Sequence, residues 1–243
     1  MIISSKTDVG ITRSNNEDYF LTGEFPDGAV WAVVCDGMGG RSGGNIASEA
    51  AAKMIADKFE RSYHIGMNDN SIRNLIMTSV EAANITVFSK ALRDSSLSGM
   101  GTTVVVAIIR DSTLYFASVG DSRLYIINAH SINQMTTHHS IVQMMVDSGE
   151  ITPEEAKDHP QKNVITRALG VGERVKIDYF QENVEKDDII MLCSDGLSNF
   201  VTNSRIFELC NTDNKHSLSD QLVEEANKNG GGDNITVVTI TDC

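Results

Sequence analysis

The feature that most constrains this chain is a carboxylate at the end of an apolar strand, met more than once. Residues 29–35 are apolar and rich in β-formers, which predicts a buried strand. They run straight into Asp36-Gly37-Met38-Gly39-Gly40. A carboxylate at the mouth of a buried strand costs free energy unless something pairs it. A divalent cation is the obvious partner, since hard cations take oxygen ligands, and glycine lets carbonyl and phosphate oxygens come close. The same arrangement recurs where 189–193 ends in Ser194-Asp195-Gly196, at Ser118-Val119-Gly120-Asp121-Ser122-Arg123, and at Gly230-Gly231-Gly232-Asp233-Asn234 before a strand expected at 235–241. One Asp-Gly at a strand end is a turn signal. Four strand-end aspartates beside glycine, spread along the chain, are harder to dismiss as turns.

Periodicity supplies the remaining elements. Residues 45–63 and 69–93 carry apolar side chains at helical spacing. Ala47, Ala51, Met54, Ile55 and Phe59 mark the first stripe; Ile72, Leu75, Ile76, Val80, Ala83, Val87 and Ala91 mark the second. A strand starting at Asp18 is expected to pair with 29–35 through the turn Pro26-Asp27-Gly28. Strands are also expected at 102–110, 114–119 and 122–128. Their connections, Asp111-Ser112-Thr113 and Gly120-Asp121, are hairpin-sized and are read as those of an antiparallel meander. Residues 140–170 switch to helical signals, including a capping box at Thr152-Pro153-Glu154-Glu155. Strands resume at 176–184 and 188–193, and helices at 203–211 and 218–228 precede the last strand. Hairpins together with paired helices predict an α+β fold. Strands 29–35 and 103–109 are apolar on both faces, which suits sheets covered by a second sheet on one side and helices on the other.

Composition narrows the function. With 20 basic and 33 acidic residues the formal net charge is −13, which argues against nucleic acid or anionic membrane as a partner. No apolar run approaches the ~20 residues of a membrane helix. Residues 1–8 lack the basic and apolar regions of a signal peptide, so a soluble, cytoplasmic protein is expected. Cys35, Cys193, Cys210 and Cys243 show no metal-site spacing, and Cys35 and Cys193 lie in strand runs as reduced core residues.

In order along the chain, the motifs resemble those of the metal-dependent serine/threonine protein phosphatases of type 2C, in their bacterial form. The resemblance spans nearly the whole chain. It includes Arg13 through Asp18, Asp36-Gly37-Met38-Gly39-Gly40, Gly101-Thr102-Thr103 and Gly120-Asp121-Ser122-Arg123. It continues through Asn163 to Gly170, Ser194-Asp195-Gly196-Leu197 and Gly232-Asp233-Asn234-Ile235-Thr236.

The resemblance implies a four-layer αββα sandwich, two antiparallel sheets flanked by helix pairs. It implies a single catalytic domain over 1–243 with a flap subdomain at about 140–170. It also implies two ions, Mn²⁺ or Mg²⁺, at one end of the sheets. Asp36 would bridge both, Gly37 would lend its carbonyl oxygen to one, and Asp195 and Asp233 would complete the protein ligands of the other. Glu17 and Asp18 would act through metal-bound waters, Arg13 would grip the substrate phosphate, and Asp121 with Asp195 would support a third ion. The implied reaction is hydrolysis of phosphoserine and phosphothreonine by a water or hydroxide bridging the two metals. The implied partners are phosphorylated proteins, a cognate serine/threonine kinase and its substrates, with the enzyme a monomer.

The chemistry suits the residues independently of the likeness. Two divalent ions neutralise a phosphomonoester dianion and lower the pKa of a water, and an all-oxygen donor set favours Mg²⁺ or Mn²⁺. The chain departs from its relatives at four positions. Thr136-Thr137-His138-His139-Ser140 stands where many carry Thr-x-Asp-His-Ser. Arg41 and Asn45 stand where bacterial relatives often carry histidine and glutamate. Met38 stands where eukaryotic relatives often carry a histidine able to protonate the leaving group. The substitutes considered for that acid are a metal-bound water near Asp121, which is favoured, and His139.

Simpler readings stand beside these. Arg13 suits a surface ion pair, Asp121 a turn cap, and Arg123 and Arg167 structural ion pairs. His138 and His139, adjacent and without an evident third ligand, are read as exposed polar residues rather than zinc ligands. A catalytically silent relative is disfavoured by the intact Asp36, Asp195 and Asp233. A two-metal nuclease is disfavoured by the acidic charge and the lack of a basic, aromatic groove.

Overall fold

A computed structural model describes residues 1–39, 43–211 and 217–242; Gly40, Arg41 and Cys243 lie outside these. The chain opens with strands β1 (Ile2–Asp8), β2 (Asp18–Glu24) and β3 (Val30–Met38), then helices α1 (Gly43–Ser62) and α2 (Asp69–Arg93). Strands β4 (Gly101–Thr102), β5 (Val104–Arg110), β6 (Thr113–Val119), β7 (Arg123–Ile127) and β8 (Ile132–Gln134) follow. Two short helices, α3 (Ile141–Asp147) and α4 (Pro153–Lys157), lead to β9 (Asp178–Asn183) and β10 (Ile189–Cys193). Helices α5 (Asp195–Ser198), α6 (Asn203–Cys210) and α7 (Leu218–Lys228) precede β11 (Ile235–Thr241).

All strand pairs are antiparallel, in two sheets ordered β1-β11-β10-β7-β8 and β2-β3-β5-β6-β9, with β4 paired to the end of β3. Helices α1 and α2 cover the second sheet, and α5, α6 and α7 cover the first. The α+β expectation and its four layers hold.

Strand alternation builds the layers. Successive side chains point to opposite faces. On β3, Trp31, Val33 and Cys35 pack toward α1 and α2, while Val30, Ala32 and Val34 pack between the sheets. On β10, Ile190 and Leu192 face the same central layer, while Ile189, Met191 and Cys193 face the other helices. Three apolar layers result, and the inner strands are buried on both faces as their sequences require. Cys35, Cys193 and Cys210 are free and buried.

Two expectations need correction. The strands at 102–128 are not one meander: β5 and β6 form a hairpin, but β7 belongs to the other sheet. Both edges of β6 are taken, by β5 and β9, so the chain crosses at Gly120-Asp121 to pair with β10. So short a connection fits a crossover as well as a hairpin, and here it carries Asp121 to the shared end of both sheets. Asp121 is therefore not a hairpin cap. Residues 140–170 hold only α3 and α4 as helix, with the predicted capping box at Thr152 and Glu155 present. The rest of that stretch is irregular, apart from isolated bridges Ser140–Ile165 and Thr102–Leu169.

Candidate active site

The site lies at one end of the central layer, where strands of both sheets finish. Asp18 and Asp36 sit directly opposite each other in the β2–β3 register. Residues opposite in an antiparallel pair share a face, and like charges there are destabilising. Alternation from Val34 aims Asp36 into the space between the sheets. The first sheet delivers Asp195 just after β10 and Asp233 just before β11, and the crossover after β6 delivers Asp121. Arg13, Glu17, Asp36, Gly37, Asp121, Asp195 and Asp233 all line one cavity of about 370 Å³. Asp18 lies beneath it, only 6% exposed.

A frame of neutral groups fixes these acids. Thr103 N–H and Thr102 Oγ1 donate to the Asp36 carbonyl (2.8 and 2.9 Å), and Asp36 N–H donates to Thr103 Oγ1 (3.0 Å). Thr103 Oγ1 also bonds Ser122 Oγ at 2.7 Å, tying β4 and β5 to the crossover. Ser194 Oγ donates to Asp18 Oδ2 at 2.7 Å, joining the two sheets under the cavity. Asn234 accepts from Glu17 N–H (2.8 Å) and donates to the Val9 and Asn15 carbonyls (2.9 Å each). Gly37 is a position where only glycine fits, because a Cβ would collide with the Gly44 carbonyl. Thr103, Ser122, Ser194 and Asn234 were not singled out from sequence as site residues. Each stands inside or beside a motif already quoted, which was the available signal.

The electrostatics are dominated by like charge. Burial, then the charges of Asp18, Asp195, Asp121 and Asp233, raise the Asp36 carboxyl well above the usual carboxylate range. Burial, outweighing hydrogen bonds from Ser194 and Thr236, pushes Asp18 up to about 7. Burial and the neighbouring Asp195 push Asp121 up to about 7, with Arg123 acting the other way. Asp195 is raised by burial and then by Asp233, while Arg123, Asp36 and Asn199 oppose the shift. Glu17 is raised by burial against the pull of Arg13. Arg13 Nη2 pairs with Asp233 Oδ2 at 2.9 Å and is half exposed, so in this arrangement its guanidinium rests on an acid of the cluster.

The donors fit a hard divalent ion. They are carboxylates and a crowded backbone carbonyl, with no thiolate or imidazole among them. Asp18 Oδ1 is buried without a hydrogen-bond partner, as expected of an oxygen meant for a water or ion. Among the described residues no three acidic, histidine or cysteine side chains close up as a complete ligand set by themselves.

The histidines differ from expectation: they are not exposed surface groups. His139 is 4% exposed. Its Nδ1 accepts from Gly120 N–H (3.0 Å), its backbone N–H donates to the Gly120 carbonyl (3.0 Å), and its Nε2 faces Asp178 Oδ2 at 3.0 Å. The Gly120 contact leaves Nδ1 unprotonated, so Nε2 carries the proton and donates to Asp178. Arg167 completes this cluster with a 2.9 Å bond to Asp178 and is a structural ion pair. His138 is half-buried beside Arg123, and burial, then Arg123 and His139, push its pKa down to about 3.

Comparison with known proteins agrees with this geometry. Residues 11–225 match the family Protein phosphatase 2C. The serine/threonine phosphatase stp of Listeria monocytogenes is 37% identical over 238 residues, 97% of this chain and 93% of that protein. The crystal structure of serine/threonine phosphatase Stp1 from Staphylococcus aureus superposes with a TM-score of 0.93 at 34% identity, covering 98% of this chain and 94% of that one. The catalytic domain of serine/threonine protein phosphatase PstP, solved in complex with two manganese ions, superposes with a TM-score of 0.84 at 31% identity, covering 98% and 96%. The likeness extends over nearly the whole chain, and the chain belongs to the protein phosphatase 2C family, whose matched members here are serine/threonine phosphatases.

Proposed function

We propose that this phosphatase hydrolyses phosphoserine and phosphothreonine in proteins, with two divalent ions, Mn²⁺ or Mg²⁺, held in the cavity above Asp36. The observation that carries the reading is the gathering of Asp36, Asp121, Asp195 and Asp233 on one cavity with Arg13 as the paired cation. Such a concentration of carboxylates is costly in the folded chain unless cations offset it. The manganese-bearing structure of a relative supports the choice of ion. When bound, the ions would supply Lewis acidity: they offset the charge of the phosphate and lower the pKa of the attacking water.

The chain's own groups take the remaining roles. Asp36, the Gly37 carbonyl, Asp195 and Asp233 would hold the two ions. Glu17 and Asp18 orient waters, and the unpartnered Asp18 Oδ1 is the free acceptor for one of them. Asp121 and Asp195 would be the acids for a third ion. Arg13, released from Asp233, turns its planar fork to the phosphate oxygens, a geometry guanidinium suits better than ammonium. Met38 cannot protonate the leaving alkoxide. His139 is a poor candidate as well, since both its ring nitrogens are engaged with Gly120 and Asp178.

The protein partners follow the same reading: phosphoproteins of the cytoplasm, including a serine/threonine kinase and its substrates, met by a monomer whose flap at about 140–170 borders the site. The net charge of −13 is unsuited to nucleic acid, and no helix among the described residues is long and apolar enough to cross a membrane. The direct test is phosphate release from a phosphothreonine peptide by chelated, desalted protein. Release should be absent, then restored by Mn²⁺ or Mg²⁺; undiminished release after chelation would end the reading.

A further inference from the structure

A second hollow opens beside the first. It occupies about 800 Å³ between the 142–163 stretch and residues 198–204, and Asn163 lines both it and the 370 Å³ cavity, so the two adjoin. Arg123 and His138 line it from the sheet side.

Both carry polar atoms without a use. Arg123 Nη1 donates to Tyr125 Oη at 3.1 Å, but its Nε is buried and meets no acceptor. No carboxylate among the described residues forms an ion pair with it, whereas Arg13, Arg167 and Arg205 are paired with Asp233, Asp178 and Glu225. His138 Nε2 is likewise buried and unpartnered. A guanidinium stays charged under all ordinary conditions; Asp121 and Asp195 lie close enough to feel that charge, but neither supplies an acceptor to Nε. The walls favour an anion too: Lys162 and the start of α6 at Asn203 and Ser204 line the hollow, against one acid, Asp158.

We propose that this hollow is a subsite for an acidic group, a side-chain carboxylate or a second phosphate, borne by the same polypeptide whose phosphoresidue lies over Asp36, and that Arg123 and His138 receive it. The subsite deepens the phosphatase reading and rests on it. Both donors would meet one oxyanion: the guanidinium supplies charge and the imidazole an N–H. The two hollows adjoin at Asn163, within the reach of one extended segment, which makes the substrate chain the favoured source of the anion.

The test compares two phosphothreonine peptides that differ only in flanking residues, glutamates in one and glutamines in the other. With Mn²⁺-loaded wild type, the glutamate peptide should bind about tenfold tighter by fluorescence anisotropy, and its KM should be lower by a similar factor. His138→Asp gives Arg123 an internal carboxylate, so that preference should fall to near unity while nitrophenyl phosphate turnover stays within about twofold. Equal binding of the two peptides by wild type overturns the proposal whether or not the variant folds. So does a folded His138→Asp protein that keeps the preference. Millimolar sulfate that weakens both peptides equally, with no glutamate preference, would mean a free oxyanion only and would also overturn it. Anisotropy is read on the non-hydrolysable phosphonate analogues of the two peptides, so it reports the subsite without turnover, whereas absence of phosphate release from either phosphothreonine peptide counts against the phosphatase reading itself.

Discussion

The two ends of β3 carry the same dipeptide and treat it in opposite ways. At the start, Asp27-Gly28 is a turn. Gly28 has φ +82° in open space, Asp27 accepts from Ala29 N–H (3.3 Å) and Tyr63 Oη (2.7 Å), and Phe25 stacks on Tyr63 at 3.6 Å. At the other end, Asp36-Gly37 is not a turn, because β3 continues to Met38 and pairs Gly37 with Thr102. There the glycine is required by crowding, and the aspartate faces Asp18, Asp121, Asp195 and Asp233. One end satisfies its acid with donors and so contributes stability. The other collects acids that destabilise the chain until something positive binds.

The sharpest way to break this comparison is to neutralise each aspartate in turn. Asp36→Asn, Asp195→Asn and Asp233→Asn should each lower kcat by more than about 100-fold, as loss of a metal clamp should. Asp27→Ala should leave kcat within about twofold and cost about 1 kcal/mol through the lost Tyr63 bond. Melting curves should show Asp36→Asn as stable as, or more stable than, the parent without metal. A large activity loss in Asp27→Ala would dissolve the contrast.

A pH scan of the metal-free protein sharpens it. Asp18 and Asp121 titrate at about 7 in the folded chain, against about 4 for an ordinary aspartate. Between those values the folded state keeps protons that the unfolded state has lost, so stability falls as pH rises from about 4 to about 7 and levels off above. The chelated protein should therefore melt lower at pH 7.5 than at pH 5, by roughly 10 °C. Mn²⁺ should reverse this at pH 7.5, since it binds deprotonated carboxylates, and Asp121→Asn should flatten the slope. A metal-free stability that climbs with pH across this window would contradict the assignment.

Smaller effects separate the members of the acidic end. Asp121→Ala should retain two ions and turn over more slowly. Arg13→Ala should mainly raise KM, because its contact with phosphate already exists in the ground state. A collapsed kcat at unchanged KM would place Arg13 in the transition state instead.

Much of this was legible because it rests on local chemistry. Helix α2 falls at 69–93 as expected: its apolar stripe is continuous, and Asn68 caps its start through Ser71 N–H at 2.9 Å. The four strand-end aspartates were legible because an acid after an apolar run is costly anywhere. What stayed hidden depends on partners far away in sequence. The length of Gly120-Asp121 cannot reveal that β9 has claimed the edge β7 would need. The polarity of His138 and His139 suggests solvent, yet Gly120, Asp178 and Arg123 enclose them. The present partner of Arg13, Asp233, lies 220 residues away, and no local pattern announces it.

The central claim is that the acidic end of the sandwich is held for divalent ions. Calorimetric titration of chelated protein with Mn²⁺ at pH 7.5 tests it directly. The account predicts at least two ions per chain for the parent and a lost or greatly weakened site in Asp36→Asn. No binding by the parent, or the same stoichiometry and affinity in Asp36→Asn, would contradict it.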